Sequence, residues 1–575
     1  MDTTNRLTPI KRFFNLLKVD QQEIASIYIY ALFNGMVTLS IPLGIQAIIS
    51  FITSGEISSS WIVLVIFVVL GVGFTGIMQI MQLTITESLQ QKIFTRSAFE
   101  FAYRIPRMKM EAIDQAYLPE LVNRFFDTLS IQKGLPKILM DFSSASLQIV
   151  FGLILLSLYH PFFILFSLVI LLIVYLIFKF TTPQGLKTSL KESTYKYEVA
   201  HWLEELARAN ATFKLAGKTS LPLDRTDEKV AQYLIHRKAH FKTLLVQYIN
   251  LVGFKMVIAA GLLLIGGLLV INQQMNIGQF VASEIIIILV LASVEKLILS
   301  MDTIYDVLTA IEKVGSITDI PLEKDEGAPI HFHEGEAIAI KAKELSFQFK
   351  DSREKIINAI SLDIKAGEKV CVSGYNGSGK SFLLQLVAGL FDSYQGAISF
   401  NNIPISSLCK EDVRSYINDS LAKEDIFKGT LLENITLGKP EIENRQIHEI
   451  VEVLGLADFV ANSENAYQTM LLPEGKNLPK SIRLKIMLAR SLAGNPKLIL
   501  VGENFNHLER KEKQKFLHYL LRADKVVTVI AVSNDPEIAK HFDQVIVLEK
   551  GKVIGSGPLN ALKNKAWFNQ IFQTQ

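Results

Sequence analysis

Cysteine is nearly absent from this chain: Cys371 and Cys409 are the two among 575 residues. That excludes a disulfide framework and a metal site built on cysteine. Cys371 falls in an apolar run, where a small buried hydrophobe is the expected role. Net charge is scarce as well. The 59 Lys and Arg against 56 Asp and Glu leave +3, which does not mark a nucleic-acid binder. No cleavable signal peptide is evident, because the first apolar stretch is long and its leading flank reads as cytoplasmic. Apolar length is what the chain has in excess. Hydrophobic residues make up 49% and mean hydropathy is +0.29, with the surplus mostly in the first half. A chain this long is expected to hold two or more domains.

Six segments reach the roughly 20 apolar residues that a bilayer crossing needs. They are Ile24–Ile52, Trp61–Leu83, Ile138–Tyr159, Phe162–Phe180, Leu244–Val270 and Phe280–Leu299. His160 and Pro161 alone part the third from the fourth, which predicts a tight hairpin turn. Basic residues set the orientation. Lys11, Arg12 and Lys18 precede the first span. Arg96, Arg104, Arg107, Lys109, Arg124, Lys133 and Lys137 follow the second, and Lys187, Lys191, Lys196, Arg208, Lys214 and Lys218 follow the fourth. The gaps after the odd-numbered spans carry no Lys or Arg. Both termini are therefore expected on the cytoplasmic side.

The long basic gaps repeat apolar residues every three to four positions through Phe94–Tyr103 and Val199–Leu215, a helical pattern. Two readings stand: the membrane helices continue into the cytoplasm and turn back, or these are separate solvated helices. Lys255 and Glu284 lie within spans, at a cost of roughly 2.5–3.5 kcal/mol each. They either pair or face a water-filled pathway, or they snorkel to a membrane face. Glu295 and Lys296, late in the sixth span, read as interfacial.

The second half opens with the charged linker 319–335, after which a domain over 336–575 is expected; the membrane part is 1–318. Within that domain stands Gly374-Tyr375-Asn376-Gly377-Ser378-Gly379-Lys380-Ser381, a complete GxxxxGKS phosphate loop. A β-branched run leads in and a helical pattern leads out, the strand–loop–helix context that such a loop requires. Its backbone N–H groups are expected to cradle phosphates, with Lys380 on the β/γ-phosphates and the Ser381 hydroxyl on Mg²⁺. The helix that follows points its positive end at the same anions. ATP and Mg²⁺ are the expected cofactors. The fold class is thus an α-helical membrane domain of six spans with long cytoplasmic extensions, followed by an α/β P-loop NTPase domain.

Nearly the whole chain resembles an ABC exporter half-transporter. In that likeness Leu345–Phe349 looks like the strand whose last aromatic, Phe349, stacks on adenine. Phe427–Ile435 resembles the segment facing the membrane domain, Ile486–Lys497 the helix after the signature, and Val545–Val553 the closing hairpin. The catalytic motifs are mostly replaced. The Q-loop glutamine position holds Ala422, the LSGGQ signature reads Leu478-Pro479-Lys480-Ser481-Ile482, and the switch histidine position holds Asn534. The Walker B strand, Leu498–Glu503, has Gly502 where the magnesium-associated aspartate belongs, while Glu503 keeps the place of the residue that polarises the attacking water. The D-loop reads Asn506–Glu509.

Phosphoryl transfer depends on positioning and on neutralising charge around the γ-phosphate. Glycine at 502 removes an anionic partner of Mg²⁺. Asn534 can donate a hydrogen bond but cannot carry charge. Pro479 has no N–H, and Lys480 and Ser481 put side chains where signature glycines would let the backbone approach. The resemblance implies a dimer that sandwiches two ATP molecules, so the expected partner is a second half-transporter, as a homodimer or as a heterodimer with an intact chain. Membrane lipid and a periplasm-spanning adaptor are further expected partners, and the bacterial inner membrane the expected location. The expected activity is ATP binding with slow or absent hydrolysis in an exporter. The alternative is a nucleotide-gated regulatory or scaffolding membrane protein. Leu121–Phe126 and His201–Ala207 look most like peptide- or toxin-secreting members, and amphiphiles such as lipids stay open as cargo. Met1–Glu23 contains no cysteine, so a cysteine protease domain ahead of the first span is not expected.

Overall fold

The computed structural model describes residues 8–53, 59–114, 117–324, 326–333, 335–350, 352–421, 426–522 and 526–572. The chain divides into two compact units. One is Met1–Arg107 with Gln115–Pro321, and the other is Met108–Asp114 with Leu322–Gln575.

The first unit is all helical. The amphipathic α1 (Pro9–Val19) is followed by α2 (Gln21–Thr53) and α3 (Ser59–Arg104). The short α4 (Met110–Ile113) belongs to the second unit. Then come α5 (Leu118–Asn123), α6 (Asp127–Tyr159), α7 (Phe162–Arg208), α8 (Asn210–Leu215), α9 (Leu221–Ile271) and α10 (Ile277–Thr318). Six of these, α2, α3, α6, α7, α9 and α10, are long and apolar enough to cross a membrane. The expected hairpin lies between α6 and α7, where His160 is extended and its carbonyl accepts the Phe163 N–H at 2.9 Å.

Helices α3, α7 and α9 have 46, 47 and 51 residues. At 1.5 Å per residue they span about 70–77 Å, more than twice a hydrocarbon core of about 30 Å. Phe94–Tyr103 therefore continues α3, and Val199–Arg208 continues α7 up to a break at Ala209 before the short α8, so the first of the two readings above holds for all but the end of the second stretch. The packing that holds them includes Phe163 and Ile170 of α7, Leu251 and Ile258 of α9, and Ile287 and Val290 of α10, all buried in one cluster.

Two ion pairs join charges on the spanning helices. Lys255 Nζ on α9 lies 2.6 Å from Glu295 Oε2 on α10, and Lys296 Nζ lies 2.9 Å from Asp141 Oδ1 on α6. Glu295 and Lys255 stand about 25–27 Å along their helices from the 272–276 turn. Glu284 sits about 16 Å along α10 from Glu295, so it is not the partner of Lys255.

The second unit holds two main sheets. The strands are β1 (Ile340–Phe347), β2 (Ile357–Ile364), β3 (Lys369–Gly374), β4 (Gln395–Phe400), β5 (Ile403–Pro404), β6 (Ile417–Asp419), β7 (Gly429–Thr430), β8 (Met470–Leu471), β9 (Leu498–Val501), β10 (Thr528–Val532), β11 (Gln544–Glu549) and β12 (Lys552–Gly557). The antiparallel sheet has the order β2-β1-β4-β5, and the other runs β12-β11-β3-β10-β9-β6. In the latter β3 pairs in parallel with both β10 and β11, and β10 with β9. Parallel strands covered on both faces read as near-continuous apolar runs, as Leu498–Val501 does and as Thr528–Val532 does after its first residue, with every residue buried. The phosphate-loop stretch leaves the C-terminal end of β3 between two such neighbours.

Candidate functional site

β3 delivers the loop. Its Val370, Cys371, Val372 and Ser373 are buried, and burial pushes the Cys371 thiol up to about 12. Cys371 is thus the protonated, buried residue its setting predicts. The loop then needs two conformations that L side chains rarely adopt. Gly374 has φ +149°, and a Cβ there would lie 2.2 Å from the Leu548 carbonyl oxygen. Gly379 has φ +96° and would set a Cβ 2.8 Å from the Ile356 carbonyl oxygen. Glycine meets both demands. Gly379 then caps α11 (Lys380–Val387).

Lys380 is folded back into the loop, its side chain 4% exposed. Its ammonium donates to the carbonyl oxygens of Gly374 (2.9 Å) and Tyr375 (3.0 Å) and lies 3.1 Å from Glu503 Oε1. Glu503 begins a 3₁₀ turn just after β9, so the strand order β3-β10-β9 carries lysine and glutamate to the same end of the sheet. Asn376, Gly377 and Ser381 are exposed, whereas Ser378 is buried with its Oγ unpartnered among the described residues. A buried hydroxyl without a partner, a lysine ammonium and the N-terminus of α11 together suit a phosphate group. Tyr375 donates its hydroxyl to Gln570 Oε1 at 2.5 Å, a contact that sequence reasoning missed.

Phe349 lies two residues beyond the end of β1 rather than within it. Its ring is half-buried, edge-on to Phe347 (5.1 Å between centroids) and Phe382 (5.5 Å). Beyond it the Ser352 N–H donates to the Phe349 carbonyl at 3.1 Å.

The residues at the altered motifs are held in place by specific contacts. Asn534 Oδ1 accepts the Gly374 N–H at 3.0 Å, and its Nδ2 donates to the Gly374 carbonyl at 2.9 Å. Ser533 Oγ donates to Asn506 Oδ1 (2.8 Å), and Asn506 Nδ2 donates to the Glu503 carbonyl (2.8 Å). The resemblance to ABC exporters marked 503, 506 and 534 as motif positions. The bonds among them follow from the adjacency of β3, β9 and β10, which spacing does not report. Gly502 donates its N–H to Ser420 Oγ at 3.2 Å. Pro479 precedes the helix Lys480–Leu492, with Lys480 and Ser481 exposed on its first turn. A lysine there opposes the helix dipole. Ala422 lies outside the described residues.

For a metal, the loop offers the exposed Ser381 hydroxyl and, beside Lys380, the Glu503 carboxylate, and glycine at 502 has no side chain to add one. Among the described residues no group of three or more His, Cys, Asp or Glu could hold a metal ion.

Comparison with known proteins bears on both units. A family profile described as "ABC transporter" matches residues 357–506. A second, "ABC transporter transmembrane region", matches 24–294. The lactococcin-A transport/processing ATP-binding protein LcnC of Lactococcus lactis is 25% identical over 84% of this chain and 67% of its own length. The transport/processing ATP-binding protein ComA of Streptococcus pneumoniae is 22% identical over 95% of this chain and 76% of its own. The leukotoxin translocation ATP-binding protein LktB of a Pasteurella haemolytica-like species is 24% identical over 61% of this chain and half of its own length. The chain thus spans half to about three quarters of these relatives. In fold it is similar to a bacterial Atm1-family ABC exporter solved with ATP bound, at TM-score 0.84 and 16% identity, covering 96% of this chain and 98% of that one.

Proposed function

This chain is a multi-pass ABC exporter half-transporter with an ATP-binding domain, and from that premise we propose that it holds ATP at Gly374–Ser381 and hydrolyses it slowly or not at all. The observation that carries the proposal is the surroundings of Glu503. The glutamate is retained, but the residue before it is Gly502, which brings no carboxylate to a metal. Mg²⁺ bound with ATP would neutralise phosphate charge. With nucleotide bound, Lys380 would turn from the loop carbonyls and Glu503 to phosphate oxygens, and Ser381 would offer its hydroxyl to the metal. Glu503 would then be free to orient water. Its reach is wasted without a fully charged metal site, a switch histidine and glycines in the signature, because these position and neutralise the transferring group.

A half-transporter needs a second copy or a second chain to complete its sites, and in this reading an intact partner supplies most of the turnover. The signature Leu478–Ile482 still weakens the site it would share with that partner. The distribution of Lys and Arg between alternate gaps supports a cytoplasmic location for both termini. The named transport and translocation roles of the relatives favour a peptide or protein cargo, with an amphiphile as the alternative. Gly502 together with Pro479, Lys480 and Ser481 favours a second reading, a nucleotide-gated regulatory or scaffolding subunit. The test is phosphate release by the purified chain in lipid nanodiscs, alone and mixed with a half-transporter having intact LSGGQ and Walker B motifs. Turnover that appears only in the mixture supports an exporter subunit. Turnover unchanged by the partner supports the regulatory reading, and brisk turnover by the chain alone overturns both.

A further inference from the structure

Asn534 holds the residue that shapes the phosphate loop. Its side-chain amide lies against the backbone of Gly374, taking the N–H at 3.0 Å and giving to the carbonyl at 2.9 Å. The amide's orientation follows from this pairing, since the reverse would set donor against donor. Gly374 is where the chain turns out of β3 at φ +149°, and its carbonyl also accepts from Lys380 Nζ. One amide therefore fixes both the entry of the loop and an anchor of its lysine. The support is continuous behind it. Ser373 Oγ donates to the Ser533 carbonyl at 2.6 Å, and Ser533 Oγ donates to Asn506, which donates to the Glu503 carbonyl.

The chemistry selects an amide. Asn and Gln present a donor and an acceptor side by side, which matches the N–H and C=O of one residue. A neutral imidazole points its two nitrogens apart, and a carboxylate offers acceptors only. We propose that Asn534 is a positioning residue that holds the phosphate loop in its nucleotide-binding shape, for diphosphate and triphosphate alike, and does not read the γ-phosphate. This rests on the ATP-binding reading above.

The test measures binding of ADP and of ATP to the full chain in lipid nanodiscs, for the native sequence, Asn534→Ala and Asn534→Thr. Both substitutions are expected to weaken ADP and ATP by the same factor, at least about fivefold, for the loss of two hydrogen bonds at a shaped loop. Asn534→Thr keeps a polar side chain of similar size without the paired donor and acceptor of an amide, and carries the test should Asn534→Ala fail to fold. Weakened ATP with unchanged ADP would make Asn534 a γ-phosphate sensor and overturn the proposal. Unchanged affinity for both would also overturn it. A native chain that binds neither nucleotide would instead overturn the ATP-binding reading, and this inference with it.

Discussion

Returning a carboxylate to position 502 tests how the altered motifs share the loss of hydrolysis. Gly502 has φ −71° and ψ −178°, which any residue adopts, so Gly502→Asp meets no backbone strain. A Cβ there would stand 3.1 Å from the Ser420 carbonyl oxygen, so the neighbouring segment must give by a few tenths of an ångström. That overpacking costs about 1 kcal/mol, which the unit tolerates. A carboxylate added beside a bound metal is worth about 10–100-fold in metal affinity. The Mg²⁺ concentration that half-supports ATP binding should therefore fall at least about tenfold. Turnover should stay well below about 1 s⁻¹, because Pro479, Lys480, Ser481 and Asn534 are unchanged. The assay is a Mg²⁺ titration of nucleotide-binding fluorescence with phosphate release followed in parallel. An unmoved Mg²⁺ midpoint would refute the placement of Gly502 beside the metal. Ordinary transporter turnover from this one substitution would refute the view that the signature and switch positions also limit hydrolysis.

Other outcomes follow from the same geometry. Gly374→Ala should weaken ATP about 100-fold or more, since its Cβ would lie 2.2 Å from the Leu548 carbonyl oxygen at φ +149° and the loop must rebuild to relieve the clash and the strain; isothermal titration reads this directly. Cys371 should resist maleimide at pH 8 in the folded chain while the half-buried Cys409 reacts, because burial holds the Cys371 thiol up to about 12. The linked stability is fully present below the ordinary thiol range and declines as pH rises from there toward about 12, so alkaline titration of unfolding should show a loss that Cys371→Ala abolishes. Lys255→Ala and Glu295→Ala should each lower the melting temperature in detergent, and the double variant should be less stable than native by less than their sum. A coupling of about 1 kcal/mol is expected for this pair, whose side chains are about one third exposed.

The membrane unit was readable because bilayer thickness imposes long apolar runs, and because Lys and Arg mark alternate gaps. Continuous helices through Phe94–Tyr103 were one of two open readings, settled by packing along α3 that hydropathy does not encode. The phosphate loop was legible for a different reason: Gly374, Gly379, Lys380 and Ser381 each meet a separate steric or electrostatic demand at a fixed spacing. Pairings distant in sequence were not legible. Lys255 meets Glu295, 40 residues later, and Asn534 meets Gly374, 160 residues earlier. Those contacts depend on helix packing and on strand order, and a local pattern of residue types carries neither. Glu503 shows the gap most plainly, since its motif position was evident while its contact with Lys380 required β9 and β3 to be placed two strands apart.

The central claim is that nucleotide is held without being consumed. Its most direct measurement is the fate of radiolabelled ATP bound to the purified chain in lipid nanodiscs with Mg²⁺, followed by chromatography of the bound label over an hour. The account predicts that the bound label remains ATP, with conversion far slower than about 1 s⁻¹. Bound label that turns to ADP within seconds, with steady phosphate release, would contradict it.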